Sequence, residues 1–282
     1  MSTPRVTPAT LRSKKTRGQK ISMLTAYDFP MASFIDQAGV DIVLVSDAVG
    51  TVGNGRGEAV SVSVDEMIYH TRSVRNGARR CMVVTTMPFA SYNTADDALR
   101  TATRLMKEGG ADGVHLEGTR REAHLIGEIT AAGIPVMGHV GVTKQKIVGT
   151  GRIKLPGQNA AGAKEIIDDA VEMARQGAFA LVLECLPAAL GAIITSGLDI
   201  PTIGIGSGPD CDGQALVTQD MLGLFKEVSP RFLKIYADMA SAMVNALGQF
   251  RKEVEGGLFP APEHTYAIDD GELQKLLAQL RS

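Results

Sequence analysis

Five apolar runs in this 282-residue sequence end in a residue able to do chemistry: Asp47, Thr86, Glu117, His139 and Glu184. If the runs are parallel strands of one sheet, these side chains gather at one edge of it. An acid at such a position can also simply cap the next helix, and that reading stands for each taken singly. Three carboxylates and a histidine together read differently, because their mutual repulsion is costly unless a cation or a substrate offsets it. A pair such as Asp47 and Glu117 suits Mg2+, which takes one or two protein carboxylates and keeps its remaining positions for water and ligand oxygens. His115 lies two residues before Glu117, so on a strand both leave the same face. An imidazole there extends the choice to Mn2+, Co2+ or Zn2+.

Glu184 closes Ala180-Leu-Val-Leu-Glu184. Apolar neighbours penalise its charged form, which suits a general base working near neutrality. His139, in Gly138-His-Val-Gly-Val-Thr143, either hydrogen-bonds a substrate oxygen or holds a loop, and the sequence leaves both open. Cys185 has no basic neighbour and reads as a buried, inert thiol. The glycines from Gly50 to Gly57 read as a turn or lid, and Gly204-Ile-Gly-Ser-Gly208 as a turn that offers a nest for an anion. Neither matches a nucleotide or dinucleotide fingerprint, so no nucleotide cofactor is expected.

The elements that must position these residues alternate along the chain. Near-continuous Val, Ile, Leu and Ala predict strands over Ile21 to Ala26, Ile42 to Asp47, Cys81 to Met87, Gly113 to Glu117, Pro135 to His139, Ala180 to Glu184 and Thr202 to Gly206. An eighth, weaker pattern covers Ala215 to Thr218. Such runs are typical of parallel strands buried on both faces. Amphipathic patterns predict helices over Ser63 to Asn76, Thr94 to Glu108, Arg121 to Ala132, Ala161 to Gln176 and Phe232 to Glu255. Caps support two of them: Thr94 precedes two acids, and Gly109 and Gly177 follow helix ends.

Repeated βα units without a compositional break predict a single-domain α/β fold, a (β/α)8 TIM barrel over residues 20–256. An open doubly wound sheet is the runner-up. Residues 1–19 are basic, with Arg12-Ser-Lys-Lys-Thr-Arg17, and read as a solvated, disordered start. Residues 257–282 read as an extended tail able to pack on a neighbouring subunit.

Composition narrows the partners. Lys plus Arg number 29 and Asp plus Glu 31, a net charge of −2 that gives no footprint for nucleic acid or an anionic membrane. Pro187, Gly191 and Gly197 interrupt the apolar stretch from Ala180 to Leu198, so a membrane span is not expected. Three scattered cysteines form neither a disulfide framework nor a zinc cluster, which fits a reducing cytoplasm. Small molecules and further copies of the chain are the expected partners.

Seven segments in order carry a family resemblance: Thr25-Ala-Tyr-Asp28, Val45-Ser-Asp-Ala-Val-Gly50, Met87-Pro-Phe89, Leu116-Glu-Gly118, Gly138-His-Val-Gly-Val-Thr143, Leu183-Glu-Cys-Leu-Pro187 and Ile203-Gly-Ile-Gly-Ser-Gly208 followed by Asp212-Gly-Gln214. Together they resemble the ketopantoate (3-methyl-2-oxobutanoate) hydroxymethyltransferase family. The resemblance implies a barrel of the phosphoenolpyruvate/pyruvate-like superfamily that assembles into a decamer. It also implies Mg2+ and a pantothenate-pathway reaction giving 2-dehydropantoate from 3-methyl-2-oxobutanoate and 5,10-methylenetetrahydrofolate. Carried over residue by residue, Asp47 and Glu117 are metal-site acids, and Glu184 is the base that takes the proton. Asp47, Ala48, Thr86, His115 and His139 are substrate contacts.

Four positions depart from the family pattern. Thr86 stands where the family has a second metal-binding Asp, His115 where it has a Lys, Ala48 where it has a Ser, and Ser46 rather than Gly precedes Asp47. One anion and one cation have been replaced together, so the charge balance of the site is kept, which favours a retuned site over a dead one. A variant 2-oxo acid aldolase or lyase with another substrate or donor, and a non-catalytic ligand-binding paralogue, are the competing expectations.

Overall fold

The structure, a computed structural model, describes residues 4–143, 155–225 and 230–281. Eight parallel strands close into one barrel in chain order: β1 Ile21–Thr25, β2 Ile42–Val45, β3 Met82–Thr86, β4 Gly113–Glu117, β5 Val136–Gly141, β6 Ala180–Glu184, β7 Thr202–Ile205 and β8 Gly213–Leu216. The pairing that excludes an open sheet is β1 with β8, Ile21 opposite Gly213 and Met23 opposite Ala215. A (β/α)8 barrel is therefore the observed fold.

Strand alternation divides the core in two. Ile42, Met82, Val84, Met137, Ala180, Val182 and Ile203 point into the barrel, where they form one buried cluster. Their neighbours Val43, Val83, Val114, Leu116, Val140, Leu181 and Leu183 point outward and pack against the helices. A strand buried on both faces has no polar side to show, which explains the uninterrupted apolar runs. The predicted helices are found at Val64–Gly77, Ala95–Lys107, Ala123–Ala131 and Ala160–Arg175. A capping box starts the first of these: Ser63 accepts from the Glu66 N–H while the Glu66 carboxylate accepts from the Ser63 N–H.

The described part of the basic N-terminal segment, residues 4–19, is ordered rather than disordered. Residues Pro8–Thr16 form a helix capped by Thr7, and Val6 and Leu11 join the cluster that fills the barrel interior. Its cations meet acids that directly precede strands: Arg5 with Asp112, Lys14 with Asp41 at 2.6 Å and Lys15 with Asp212 at 2.7 Å. A charge run read alone looks solvated; here its partners lie 27 to 197 residues away in sequence. The segment closes the barrel at the end where the strands begin.

Two further expectations are corrected. The late helix begins at Met239, capped by Asp238, rather than at Phe232, and the tail carries a helix at Asp270–Leu280 instead of being extended throughout. Helices Phe29–Gln37 and Ala188–Gly197 complete βα units for which the periodicity gave no boundaries. No described helix is long and apolar enough to cross a membrane.

Candidate active site

The inward alternation that packs the barrel continues to the last residue of each strand, and there it changes from apolar to polar. On β3, Thr85 points outward and bonds Thr71 Oγ1 at 2.9 Å, while Thr86 points inward. The two threonines therefore have unrelated jobs. Barrel register sets Thr86 opposite His115, Glu117 opposite His139 and Gly141 opposite Glu184. Three neighbouring strands and β6 thus bring their polar ends to one mouth.

There the side chains form a connected series. Thr86 Oγ1 lies 3.0 Å from His115 Nδ1, His115 Nε2 lies 3.1 Å from His139 Nδ1, and His139 Nε2 lies 2.9 Å from the Val142 carbonyl oxygen and 3.3 Å from Glu184 Oε2. A carbonyl oxygen can only accept, so His139 carries its proton on Nε2 and offers a lone pair at Nδ1. Among the described residues, His115, Glu117 and His139 form a group whose ligand atoms all lie within 4.8 Å of one another. Asp47, Thr86, His115, Glu117 and His139 are each at most 4% exposed. Glu184 is more open, with 28% of its side chain exposed.

His115, Glu117, His139 and Glu184 line a cavity of about 180 Å³ together with Ser46 and Ala48, under an apolar cover that includes Phe232 and Leu233. Asp47 sits between Ser46 and Ala48; its Oδ1 accepts from Ser46 Oγ at 3.4 Å. Of the residues expected at the site, the structure brings His115, Glu117, His139 and Glu184 into one cavity wall with Ala48. Thr86 stands immediately behind His115.

The backbone beside Glu184 is unusual. Cys185 has φ +56, in the left-handed region that costs a side-chain-bearing residue energy and that clusters at functional sites. Burial, reinforced by the charge of Glu184, pushes its thiol up to about 11, so it stays protonated at neutral pH. Ser207 clamps this turn, donating to the Leu183 carbonyl at 2.7 Å and accepting from the Leu186 N–H at 3.1 Å. In the Gly-rich segment after β7 the glycines allow close packing: a Cβ at Gly206 would meet Phe232 at 2.6 Å, and one at Gly208 would meet Ala188 at 2.6 Å.

Asp220 also lines the cavity, and burial raises its pKa. It stands on a short turn of helix, Thr218–Met221, after β8. Sequence reasoning missed it because no apolar run ends there. The available signal was Thr218, which ties the turn to the barrel by donating to the Thr25 carbonyl at 2.6 Å.

A family model described as ketopantoate hydroxymethyltransferase matches residues 5–262. The chain belongs to the ketopantoate hydroxymethyltransferase family. A 3-methyl-2-oxobutanoate hydroxymethyltransferase of Clostridium botulinum is 47% identical over 271 residues, covering 96% of this chain and 98% of the relative. One of Moorella thermoacetica is 48% identical over 263 residues, covering 93% and 98%. The relatives are named as hydroxymethyltransferases, and the chain is an enzyme of that class.

Among solved structures, phosphonopyruvate hydrolase in complex with oxalate and Mg2+ superposes with a TM-score of 0.60 at 12% identity, covering 98% of this chain and 96% of that one. Oxaloacetate acetylhydrolase gives 0.60 at 13%, covering 99% and 100%. 2,3-Dimethylmalate lyase, a member of the phosphoenolpyruvate mutase and isocitrate lyase superfamily, gives 0.56 at 13%, covering 97% and 98%. These likenesses show the barrel fold. Thr86 and His115 touch each other across β3 and β4.

Proposed function

We propose that this enzyme transfers a hydroxymethyl group from 5,10-methylenetetrahydrofolate to 3-methyl-2-oxobutanoate, giving 2-dehydropantoate for pantothenate biosynthesis. The observation that carries the proposal is the cavity itself. It sets Glu184 beside His139, Glu117 and His115 at the strand ends, in a chain that matches this family over nearly its whole length.

The donors present fit a divalent ion. Glu117 offers a carboxylate oxygen and His115 and His139 offer ring nitrogens in one buried group, and Asp47 is a further buried carboxylate outside that group. Mg2+ is the ion that the family resemblance implies, with Mn2+, Co2+ or Zn2+ as the alternatives that the imidazoles admit. Bound there, such an ion supplies Lewis acidity that makes the C–H next to the keto group easier to ionise.

Glu184 takes that proton. Its exposure toward the cavity gives it access, and His139 Nε2 lies 3.3 Å from its Oε2. Val182, Ile205 and Phe232 give the branched carbon chain an apolar surface and keep water from the reacting carbon. One water is consumed overall: it breaks both C–N bonds of the folate methylene, which becomes a formaldehyde-level carbon while tetrahydrofolate leaves. The deprotonated C3 of the substrate then forms the new C–C bond to that carbon, whose oxygen takes up a proton to become the hydroxyl of the product.

We further propose a homo-oligomer, a decamer by family resemblance, and a cytoplasmic enzyme. The support for assembly is the helix Met239–Glu255: it has no buried residue and exposes Met243, Val244, Leu247, Phe250 and Val254. A second reading, a different 2-oxo acid or one-carbon donor, draws on the Thr86 and His115 pair.

The test is product formation. Purified protein, 3-methyl-2-oxobutanoate, the folate donor and each divalent ion in turn should yield 2-dehydropantoate detected by mass. Consumption of other 2-oxo acids in place of this one would sink the substrate assignment.

A further inference from the structure

The proposal above leaves open which donors hold the cation, and the geometry at the ends of β4 and β5 narrows the choice. Each imidazole has one nitrogen engaged on its outer side: His139 Nε2 with the Val142 carbonyl at 2.9 Å, and His115 Nδ1 with Thr86 Oγ1 at 3.0 Å. The opposite nitrogens, His139 Nδ1 and His115 Nε2, face each other at 3.1 Å. Metal-ligating histidines characteristically give the N–H of their second nitrogen to a carbonyl or another acceptor, which fixes the ring and aims the lone pair of the first.

The spacing has a second meaning. Two nitrogens each bound at about 2.1 Å to one ion stand about 3.0 Å apart at a right angle and about 3.4 Å apart at a tetrahedral angle. The observed 3.1 Å lies between these values, and one ligand atom each of Glu117, His115 and His139 all lie within 4.8 Å of one another. All three side chains rise from adjacent strands in fixed register and are at most 4% exposed.

We infer that His115 Nε2, His139 Nδ1 and a Glu117 oxygen together bind one divalent transition-metal ion, with Thr86 as the positioning residue that holds His115. Two imidazoles and one carboxylate favour Mn2+, Fe2+, Co2+ or Zn2+ over Mg2+, and they leave coordination positions for the two oxygens of a 2-oxo acid. Thr86 serves this site better as a hydroxyl than as an acid. It accepts the His115 Nδ1–H when Nε2 holds the ion, and donates to Nδ1 when Nε2–H bonds His139 instead. The inference deepens the functional reading above and rests on it for the presence of a cation and a 2-oxo acid at this mouth.

The experiment uses the full-length protein stripped with EDTA and reloaded with Co2+ or Cu2+. Pulsed electron paramagnetic resonance of the Cu2+ form should show the remote nitrogens of two imidazoles, falling to one in His115→Asn. Co2+ titration followed by visible absorption should show affinity lowered 10- to 100-fold in Thr86→Val and retained in Thr86→Ser, the range usual for loss of a partner behind a ligand. Mg2+ at equal concentration should displace little of the Co2+.

Near-UV circular dichroism and urea unfolding confirm that each variant is folded. If Thr86→Val does not fold, His115→Asn and Thr86→Ser carry the test. Absence of nitrogen coupling, or wild-type Co2+ affinity in His115→Asn, overturns the inference, since both results mean an oxygen site elsewhere in the mouth. Such a failure is separable from failure of the functional reading. Product formed with Mg2+ and no nitrogen coupling removes only the ligand assignment; two coupled imidazoles with no reaction remove only the reaction.

Discussion

A single methyl group at position 141 should uncouple the proposed base from its site. Gly141 pairs with Glu184 across β5 and β6 and has φ +114. A Cβ built there would stand 2.2 Å from the Glu184 carbonyl oxygen and 3.1 Å from both its N and C atoms. Real Cβ atoms essentially never approach closer than 3.0 Å, so the Glu184 backbone must retreat by about 0.8 Å. A misplacement on the order of 1 Å can cost about 100-fold in rate. Strain at this φ adds about 1–3 kcal/mol, and relief of the overlap adds about 1–3 kcal/mol more.

Gly141→Ala should therefore lose about 2–6 kcal/mol in urea unfolding and about 100-fold in exchange of the C3 proton of 3-methyl-2-oxobutanoate. Gly133→Ala is the control. That residue has φ +83 with nothing within 4 Å of the added Cβ, so it reports backbone strain alone, about 1–2 kcal/mol, without displacing Glu184. Equal exchange rates in the two variants would refute the reasoning, because the contact at Gly141 would then not set where Glu184 stands.

Two further perturbations bear on the framework. Leu11→Ala removes a fully buried side chain from the segment that closes the barrel; it should cost about 2–5 kcal/mol in unfolding while exchange kinetics at the distant mouth stay unchanged. Asp220 tests the electrostatics of the cavity wall. Burial raises its pKa in the folded protein, so the native state binds this proton more tightly than the unfolded chain does. Its contribution to stability is lost as pH rises from 3.8 through the folded value. Asp220→Asn should be more stable than wild type at pH 7 by urea midpoint, with the advantage vanishing near pH 3; an equal gain at both pH values would mean that charge burial is not the cause.

The barrel was legible because strands buried on both faces announce themselves as short apolar runs, and their last residues mark the mouth. Glu117, His139 and Glu184 could be placed there from position alone. The N-terminal helix could not, since its lysines look solvated until the barrel brings Asp41 and Asp212 to them. The contact between Thr86 and His115 was equally hidden. It depends on the register of β3 against β4, which no single strand encodes. Thr85 and Thr86 look alike in sequence, and only the pleat separates a helix contact from a site residue. Asp220 lies on a turn after β8, where the strand-end rule gives no signal.

Deuterium exchange at C3 of 3-methyl-2-oxobutanoate, followed by proton NMR without any folate donor, addresses the proposed chemistry most directly. Wild-type protein with a divalent ion should exchange that proton, EDTA should stop it, and Glu184→Gln should slow it by about 100-fold or more, the scale of a positioned general base. Metal-dependent exchange that survives Glu184→Gln undiminished would contradict the assignment of Glu184 as the base.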